Sequence, residues 1–174
     1  DLQHGRPALA QMRDVRIEDL LGRQPVQLNL DEIAGFLRGQ RVLVIGAGGG
    51  VGSFAVQIAK ALGAEVTGVD NAEKLEFMRS LGADHVLDYR QQDFTATGRT
   101  YDLILTNPPY VDADDMANLP QEFRHEPELA LASGESGLDA ILKILAAAPE
   151  HLTPGGVLVA EVGNSCVPLQ QRFG

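Results

Sequence analysis

The chain has 174 residues, a mass of 18.6 kDa and a formal net charge of −10, which predicts one domain with a well-formed core. The acidic balance argues against binding to nucleic acid, and the single cysteine excludes a disulfide framework and a zinc site built from several thiolates. No apolar run reaches the roughly 20 residues that span a bilayer, and no signal peptide opens the sequence. We therefore expect a cytoplasmic protein without membrane association, whose acidic surface suits a basic protein substrate.

The chain begins with a segment that differs from the rest. Residues 15–21 and 31–37 are predicted as short helices, separated by a Gly-Arg-Gln-Pro break. From residue 41 onward, apolar runs rich in β-branched residues alternate with amphipathic stretches, which is typical of a parallel sheet covered by helices. We expect residues 1–40 to form an N-terminal helical segment and residues 41–174 to form a nucleotide-binding domain.

Five strands are predicted, at residues 41–45, 65–70, 85–89, 101–106 and 157–162, with helices over 53–62, 72–81 and 138–152. Right-handed crossovers then give an α/β fold, a Rossmann-like doubly wound parallel sheet in the order 3-2-1-4-5 within a three-layer sandwich. The helical positions expected to face the sheet are Phe54, Ile58 and Leu62, then Leu75, Met78 and Leu81, and finally Ile141, Leu142 and Leu145.

A run of glycines joins the first predicted strand to the helix that follows it: Gly46, Gly48, Gly49, Gly50 and Gly52. Glycine allows a sharp turn and lets a phosphate or a methionine moiety approach the backbone closely. The spacing 46, 49, 52 is typical of extended short-chain dehydrogenases, whereas 46, 48, 50 is typical of S-adenosylmethionine enzymes. Both interpretations stay open, and a third is that the run forms a tight strand-to-helix turn that binds no ligand.

Residues after the second and third strands fit an adenosine. Asp70 ends the second strand about 20 residues beyond the loop, where a carboxylate accepts both ribose hydroxyls and repels a 2′-phosphate. This favours S-adenosylmethionine or NAD as the cofactor. Asp93 is expected near the adenine amine and Phe94 beside the ring, with a surface turn as the alternative.

Asn107, Pro108, Pro109 and Tyr110 directly follow the fourth strand, at the edge where open α/β sheets bind ligands. The side-chain oxygen of Asn107 and the carbonyl of Pro108 are suited to accept the two N–H groups of an amide, which localises the nitrogen lone pair and aims it at a methyl sulfonium. Tyr110 is suited to stack on the planar group, and a proline-rich strand exit is the structural alternative. The four histidines have no metal-ligand spacing, so no metal is expected.

Three segments resemble three Rossmann families. Residues 13–49, ending in Arg-Val-Leu-Val-Ile-Gly-Ala-Gly-Gly, resemble nucleotide-sugar dehydratases of polysaccharide biosynthesis. Residues 49–106, with Gly-Gly-Val-Gly-Ser-Phe-Ala-Val-Gln and Leu-Gly-Ala-Asp-His-Val, resemble the cofactor domain of quinone-reductase-type medium-chain dehydrogenases. Residues 107–174, with Asn-Pro-Pro-Tyr and Glu-Val-Gly-Asn-Ser, resemble ribosomal-protein glutamine N-methyltransferases. The joints between the segments indicate an artificial chimera or a designed sequence.

The resemblances imply different amounts of retained function. The dehydratases imply a Tyr-x-x-x-Lys pair that this sequence lacks, and the quinone reductases imply a separate substrate domain for which no residues remain. The methyltransferases imply that Asn107, Pro108 and Tyr110 position the amide, that the loop glycines and Asp70 bind S-adenosylmethionine, and that residues 124–128 seat the target. Their pattern has an acid where this chain has Val44, and their sheet continues beyond the fifth strand, where this chain stops.

Three functions follow as hypotheses. The first is a chimeric Rossmann domain that binds an adenosine cofactor, S-adenosylmethionine or NAD, without efficient catalysis. The second is an S-adenosylmethionine-dependent protein-glutamine N-methyltransferase acting through Asn-Pro-Pro-Tyr, and the third is an NAD-binding oxidoreductase fragment.

Overall fold

The computed structural model of the chain describes residues 28–92, 94–118 and 131–173. The helix predicted over residues 15–21, Asp93 and residues 124–128 lie outside the described residues. The chain divides into two compact units, Asp1–Leu30 and Asp31–Gly174. The elements below belong to the second unit, except that the first helix begins at Leu30.

The described elements alternate along the chain as the sequence predicts. They are, in chain order, α1 (Leu30–Leu37), β1 (Arg41–Ile45), α2 (Gly50–Ala61), β2 (Glu65–Asp70), α3 (Leu75–Ser80), β3 (His85–Asp88), β4 (Tyr101–Thr106), α4 (Ala113–Ala117), α5 (Asp139–His151), β5 (Leu152–Ala160) and α6 (Cys166–Phe173). Short 3-10 turns span Ala72–Lys74, Phe94–Thr97 and Gly163–Ser165. Asn71 acts as a cap, because its side chain accepts a hydrogen bond from the Glu73 amide at 3.0 Å. It caps the 3-10 turn Ala72–Lys74, however, whereas the predicted helix over 72–81 begins as an α-helix only at Leu75.

The five strands form one parallel sheet in the order β3-β2-β1-β4-β5. This confirms the doubly wound, Rossmann-like α/β fold. The central strand β1 reads Arg-Val-Leu-Val-Ile and buries its three middle residues, as expected of a strand that is covered on both faces. The continuous apolar run therefore places β1 at the centre of the sheet.

Each face of the sheet has its own apolar core. On one face, Val42 and Val44 of β1 pack with Val56 and Ala59 of α2. Leu37 of α1 and Met78 of α3 are buried in the same cluster. On the opposite face, Leu43 of β1 and Ile104 of β4 pack with Ala148 of α5. Helices therefore cover both faces of the sheet, as in a three-layer sandwich.

The helix after the glycine run presents a different face from the one predicted. Phe54 and Ile58, expected to face the sheet, are 68% and 55% exposed, and Gly52, Val56 and Ala59 are buried instead. The reason is that α2 begins within the glycine run, where Gly52 contacts the strand-exit backbone, so the close-packed stripe is the one made of small residues.

Later elements also depart from the prediction. In α5, Ile141 is buried as expected, whereas Leu145 is 38% exposed. Strand β5 begins at Leu152 rather than 157, because its pairing with β4 shifts register between Tyr101 and Leu103, so Pro154 and the two glycines after it lie inside the strand. Helix α6 follows β5 and was not predicted.

The connection between β3 and β4 contains a 3-10 turn rather than a full crossover helix among its described residues. A cavity of about 220 Å³ lies where this connection meets the sheet and α5. Leu43, Ile45 and Ile104 line it from the sheet, and Thr95 lines it from the turn. None of the helices in the described part of the chain has the length and apolar content that crossing a bilayer requires.

Candidate functional site

Three of the predicted site elements leave the sheet side by side. Ile45, the last residue of β1, pairs with Val69 of β2 on one side and with Thr106 of β4 on the other. The residues that follow this row are Gly46, Asp70 and Asn107. Because the strands are parallel, all three lie at the carboxyl edge of the sheet, on adjacent strands about 4.8 Å apart.

The glycine run forms a compact turn between β1 and α2. The amides of Gly46 and Ala47 both donate to the carbonyl of Val69, at 2.9 and 3.1 Å, which ties the turn to β2. Gly46 has φ +75°, a left-handed conformation that favours glycine. Gly49 caps α2 in an extended conformation without a side-chain hydrogen bond. Because α2 directly follows β1, its first turn lies at the carboxyl edge of the sheet.

The five glycines are not equivalent. A Cβ at Gly52 would lie 2.1 Å from the carbonyl oxygen of Gly46, and a Cβ at Gly48 would lie 2.6 Å from Cβ of Lys74. A Cβ at Gly50 would meet no atom within 4 Å. Packing therefore requires glycine at 48 and 52, and the left-handed conformation favours it at 46. Neither spacing considered from the sequence contains all three positions.

Asp70 is joined directly to the loop. Its Oδ2 accepts a hydrogen bond from the Gly48 amide at 2.9 Å, and its Oδ1 accepts one from the Asn71 amide at 2.8 Å. Each carboxylate oxygen has two lone pairs, so both oxygens keep the capacity to accept a further hydrogen bond. The half-buried side chain is thus fixed beside the loop with acceptors left for a diol.

The segment after β4 is fixed by contacts from distant parts of the chain. Asn107 is exposed and Pro108 is buried. Val111 forms a parallel bridge with Ala132, and the Ser165 hydroxyl lies 3.2 Å from the carbonyl oxygen of Tyr110. These contacts hold the backbone directly after the prolines, and the Asn107 side chain lies at the surface.

The Tyr110 ring has a neighbour that the sequence did not reveal. A Cβ at Gly163 would lie 2.4 Å from the ring, so the ring packs on the backbone of the turn that follows β5. Gly163 has φ +47°, which favours glycine there for a second reason. One side of the ring is thus occupied by the protein itself.

Two buried serines that the sequence analysis passed over support the site. The Ser133 hydroxyl accepts a hydrogen bond from the Ala140 amide at 2.9 Å in the first turn of α5. The Ser165 hydroxyl also lies 3.1 Å from the carbonyl oxygen of Gly137, so its one proton is shared between two carbonyls. In the sequence each serine lies within two residues of a glycine, Gly134 or Gly163, but no local pattern indicates its hydrogen-bond partner.

The third residue that sequence reasoning missed is Thr106. Its side chain is 8% exposed, and among the buried side chains that the structure describes its Oγ1 is the polar atom without a hydrogen-bond partner. Buried hydroxyls normally have a partner, so this one calls for an explanation. A threonine at the end of a strand carries no such signal in the sequence, because threonine is common in strands.

The residues predicted to hold an adenine are placed only in part. Phe94 begins the 3-10 turn Phe94–Thr97, and its neighbour Asp93 lies outside the described residues. Asp88, which was not predicted, is the buried carboxylate that pairs with Asp70 across β3 and β2. Its Oδ1 accepts a hydrogen bond from the Arg90 amide at 2.9 Å, which shapes the turn after β3.

Within residues 28–92, 94–118 and 131–173, no cluster of three or more His, Cys, Asp or Glu side chains could hold a metal ion. His85 begins β3, at the amino edge of the sheet, and its Nε2 lies 2.9 Å from Oε1 of Glu65. His85 therefore lies at the opposite edge of the sheet from the glycine loop.

Comparison with known proteins finds two groups of relatives. Residues 50–108 match the family described as zinc-binding dehydrogenase. The chain is 48% identical over 107 residues to a ribosomal protein uL3 glutamine methyltransferase of Xanthomonas campestris, covering 58% of this chain and 35% of that protein. It is 42% identical over 123 residues to the Bordetella pertussis protein of the same name, covering 65% and 41%.

Among solved structures, alcohol dehydrogenase TADH from Thermus sp. ATN1 is 27% identical with a TM-score of 0.48, covering 74% of this chain and 30% of that one. The JamJ enoyl reductase is 22% identical with a TM-score of 0.49, covering 83% and 37%. Neither likeness identifies a function.

The predicted resemblances to dehydrogenases and to glutamine methyltransferases are thus confirmed, but the methyltransferase match is longer than the predicted residues 107–174. The resemblance to nucleotide-sugar dehydratases, the quinone-reductase type of the dehydrogenase segment and the chimeric origin stay predictions. The chain is similar to zinc-binding dehydrogenases over residues 50–108 and to uL3 glutamine methyltransferases, of whose length it spans roughly 35–41%.

Proposed function

We propose that this chain carries the cofactor site and the amide-positioning site of a cytoplasmic S-adenosylmethionine-dependent protein-glutamine N-methyltransferase. The observation that carries the proposal is the row of Asp70, Gly46 and Asn107 on adjacent strands at one edge of the sheet. In this proposal residues 41–174 form the nucleotide-binding domain, residues 1–40 form an N-terminal helical segment, and the substrate is a basic ribosomal protein.

The residues at the glycine loop fit the cofactor. Gly48 and Gly52 let the loop pack closely on Asp70, Lys74 and Gly46, which fixes Asp70 with free acceptor capacity for the ribose hydroxyls. Phe94 and Asp93 are proposed to flank the adenine. S-adenosylmethionine, when bound, supplies a methyl group on a positively charged sulfur.

The residues after β4 prepare the amide that receives this methyl group. The Asn107 side-chain oxygen and the Pro108 carbonyl accept its two N–H groups, which withdraws the nitrogen lone pair from the amide resonance and orients it. In the transfer the nitrogen would form a bond to the methyl carbon while the carbon–sulfur bond breaks, with its electron pair left on the sulfur, and one N–H proton would be released to solvent. The contacts of Val111 with Ala132 and of Tyr110 with Ser165 keep the Pro108 carbonyl in place.

The test is methyl transfer from labelled S-adenosylmethionine to ribosomal protein uL3. Replacing Asn107 with alanine is expected to reduce the rate about a hundredfold, because one of the two acceptors that orient the amide is lost. Asn118→Ala, which removes an exposed asparagine bonded to the Asp114 carbonyl, is the matched control and is expected to keep the rate of the unaltered chain. A rate that Asn107→Ala leaves unchanged would show that Asn107 does not position the amide.

A second candidate function is NAD binding, favoured by the match of residues 50–108 to the dehydrogenase family. In this alternative the α2 amino end faces the pyrophosphate and Asp70 accepts the ribose hydroxyls. Calorimetry with S-adenosylhomocysteine and with NAD under the same conditions separates the candidates. Binding of NAD without binding of S-adenosylhomocysteine would favour the oxidoreductase fragment. Binding of neither ligand would favour a folded domain without catalysis.

We also propose that the sequence is a chimera of Rossmann segments, artificial or designed. The joint predicted after β4 is not supported, because the methyltransferase match covers 58–65% of the chain, which is more than residues 107–174 alone contain. The two groups of relatives support the mixed character of the chain. One natural protein that aligns end to end with all 174 residues would overturn this origin.

A further inference from the structure

The unpartnered hydroxyl of Thr106 lies at a special place in the sheet. Thr106 ends β4 and pairs with Ile45, the end of β1. The chain leaves β1 toward α2, whose Val56 is buried on one face, and it leaves β4 toward α5, whose Ala148 is buried on the other. The boundary between β1 and β4 is therefore the point where the connections diverge, and open α/β sheets bind ligands in the crevice there.

The direction of the side chain follows from the strand. Side chains alternate along β4, and Leu103 packs on the α2 face while Ile104 packs on the α5 face. Thr106 is two residues beyond Ile104, so its side chain shares the α5 face. Ile45, its partner across the strands, is apolar and partly packed on that same face, so β1 offers the hydroxyl no side-chain partner.

A buried hydroxyl without a partner destabilises the folded chain, because it has lost its bonds to water and gained none in return. Ser133 and Ser165, which are buried nearby in the same half of the chain, do have partners. An unsatisfied group at a ligand crevice is explained most simply by a ligand that supplies the missing bond.

Given the proposed function, the contacts assigned to the neighbouring strands indicate which part of the cofactor lies near Thr106. Asp70 on β2 is the proposed ribose contact, and β4 lies two strands away, about 10 Å at the usual strand spacing. On the other side of β2 lies β3, whose following turn is the proposed adenine contact. The methionine part of the cofactor must therefore extend across β1 to the end of β4.

We propose that the Thr106 hydroxyl binds the α-amino-acid end of S-adenosylmethionine. A hydroxyl both donates and accepts, so it suits a group that carries an ammonium and a carboxylate. Val44, the last residue but one of β1, is enclosed in the core, and Ile45, which ends the strand, is apolar, so β4 is left to supply the polar side chain. This inference rests on the proposed methyltransferase function.

The experiment compares two ligands that differ in this end alone. S-adenosylhomocysteine has the amino-acid end, and 5′-methylthioadenosine lacks it. Thr106→Val, which has the same shape without the hydroxyl, is expected to bind S-adenosylhomocysteine about tenfold or more weakly, with the affinity for 5′-methylthioadenosine unchanged. Thr106→Ser is expected to restore most of the loss. Thr67→Val, a buried threonine in the middle of β2, is the control and is expected to change neither affinity.

Stability gives a second readout with the opposite sign. Thr106→Val is expected to unfold at a higher urea concentration than the unaltered chain, because it replaces an unpaired buried hydroxyl with a methyl group. A structural role for the hydroxyl predicts a lower midpoint instead, so a lower midpoint overturns the inference.

The binding outcomes separate the two proposals. If the unaltered chain binds neither ligand, the proposed cofactor is wrong and the inference falls with it. If Thr106→Val binds S-adenosylhomocysteine as tightly as the unaltered chain, or weakens both ligands equally, the role of Thr106 is wrong while the proposed cofactor stands.

Discussion

At the scale of single residues, the glycine loop shows how the chain distinguishes positions that look alike. Gly52 faces the carbonyl of Gly46, and Gly48 faces Lys74 and Asp70, whereas Gly50 faces open space. These neighbours come from β1, from the end of β2 and from the turn after it. The sequence alone could not choose a spacing because the contacts that decide it form only once the strands are paired.

Gly52→Ala is expected to destabilise the chain by about 1–3 kcal/mol, because the added methyl group overlaps the Gly46 carbonyl. Gly50→Ala adds the same methyl group in open space at the start of α2 and is expected to stabilise by about 0.5–1 kcal/mol. Urea unfolding of both variants measures the difference. Equal effects of the two substitutions would contradict the close contact at Gly52.

At the scale of elements, α2 shows what hydrophobic periodicity can predict. The helix itself is found where the pattern indicates it, but the large apolar residues Phe54 and Ile58 lie on its exposed side. The prediction chose the wrong face because it gave most weight to large apolar side chains. The residues that contact the sheet are Gly52, Val56 and Ala59. Small residues pack closest to a strand, and a count of large apolar side chains gives them no weight.

The two sides of α2 should therefore respond oppositely to truncation. Phe54→Ala is expected to change the free energy of unfolding by less than about 0.5 kcal/mol, since the ring is 68% exposed. Val56→Ala removes two methyl groups from a side chain with 0% exposure and is expected to cost about 2 kcal/mol. Thermal or urea unfolding measures both, and a larger cost at Phe54 would reverse the assignment of the buried face.

At the scale of the whole molecule, one carboxylate joins three strands at the amino edge of the sheet. Asp102 near the start of β4 accepts hydrogen bonds from the Arg41 amide of β1 at 2.8 Å and from the Thr153 hydroxyl of β5 at 2.7 Å. The Arg41 amide chiefly holds the pKa of Asp102 below its ordinary value of 3.8, assisted by Thr153 and the Arg41 charge and opposed by partial burial.

This geometry predicts a contribution to stability that depends on pH. Because the folded-state pKa of Asp102 is lowered, the contribution is fully present above the unfolded-state pKa and is lost as pH falls through the folded-state pKa, below about pH 4. Asp102→Asn is expected to cost about 1 kcal/mol at pH 7 and clearly less at pH 2.5. Urea midpoints at both pH values test this, with the exposed Glu150→Gln as control. A cost that does not change with pH would contradict the role of the charge.

The order of the sheet could be predicted because the alternation of strands and helices, together with right-handed crossovers, leaves few arrangements. The position of Asn107 beside Gly46 follows from that order alone. The contacts of Tyr110 with Gly163 and Ser165 could not be predicted. These residues are more than 50 positions apart, and neither segment has a local pattern that indicates contact with the other.

The β5 strand gives the sheet one open border. In the described part of the chain, β5 pairs with β4 on one side, and its other side is a free row of backbone donors and acceptors. Pro154 and the irregular pairing near Leu152 interrupt the first half of that row. Residues 157–160 carry no charge, and Val157 and Val159 are exposed. A foreign strand that extended the sheet could therefore pair only with these four residues. A lysine at position 159 would disfavour that pairing by placing a charge on the edge strand.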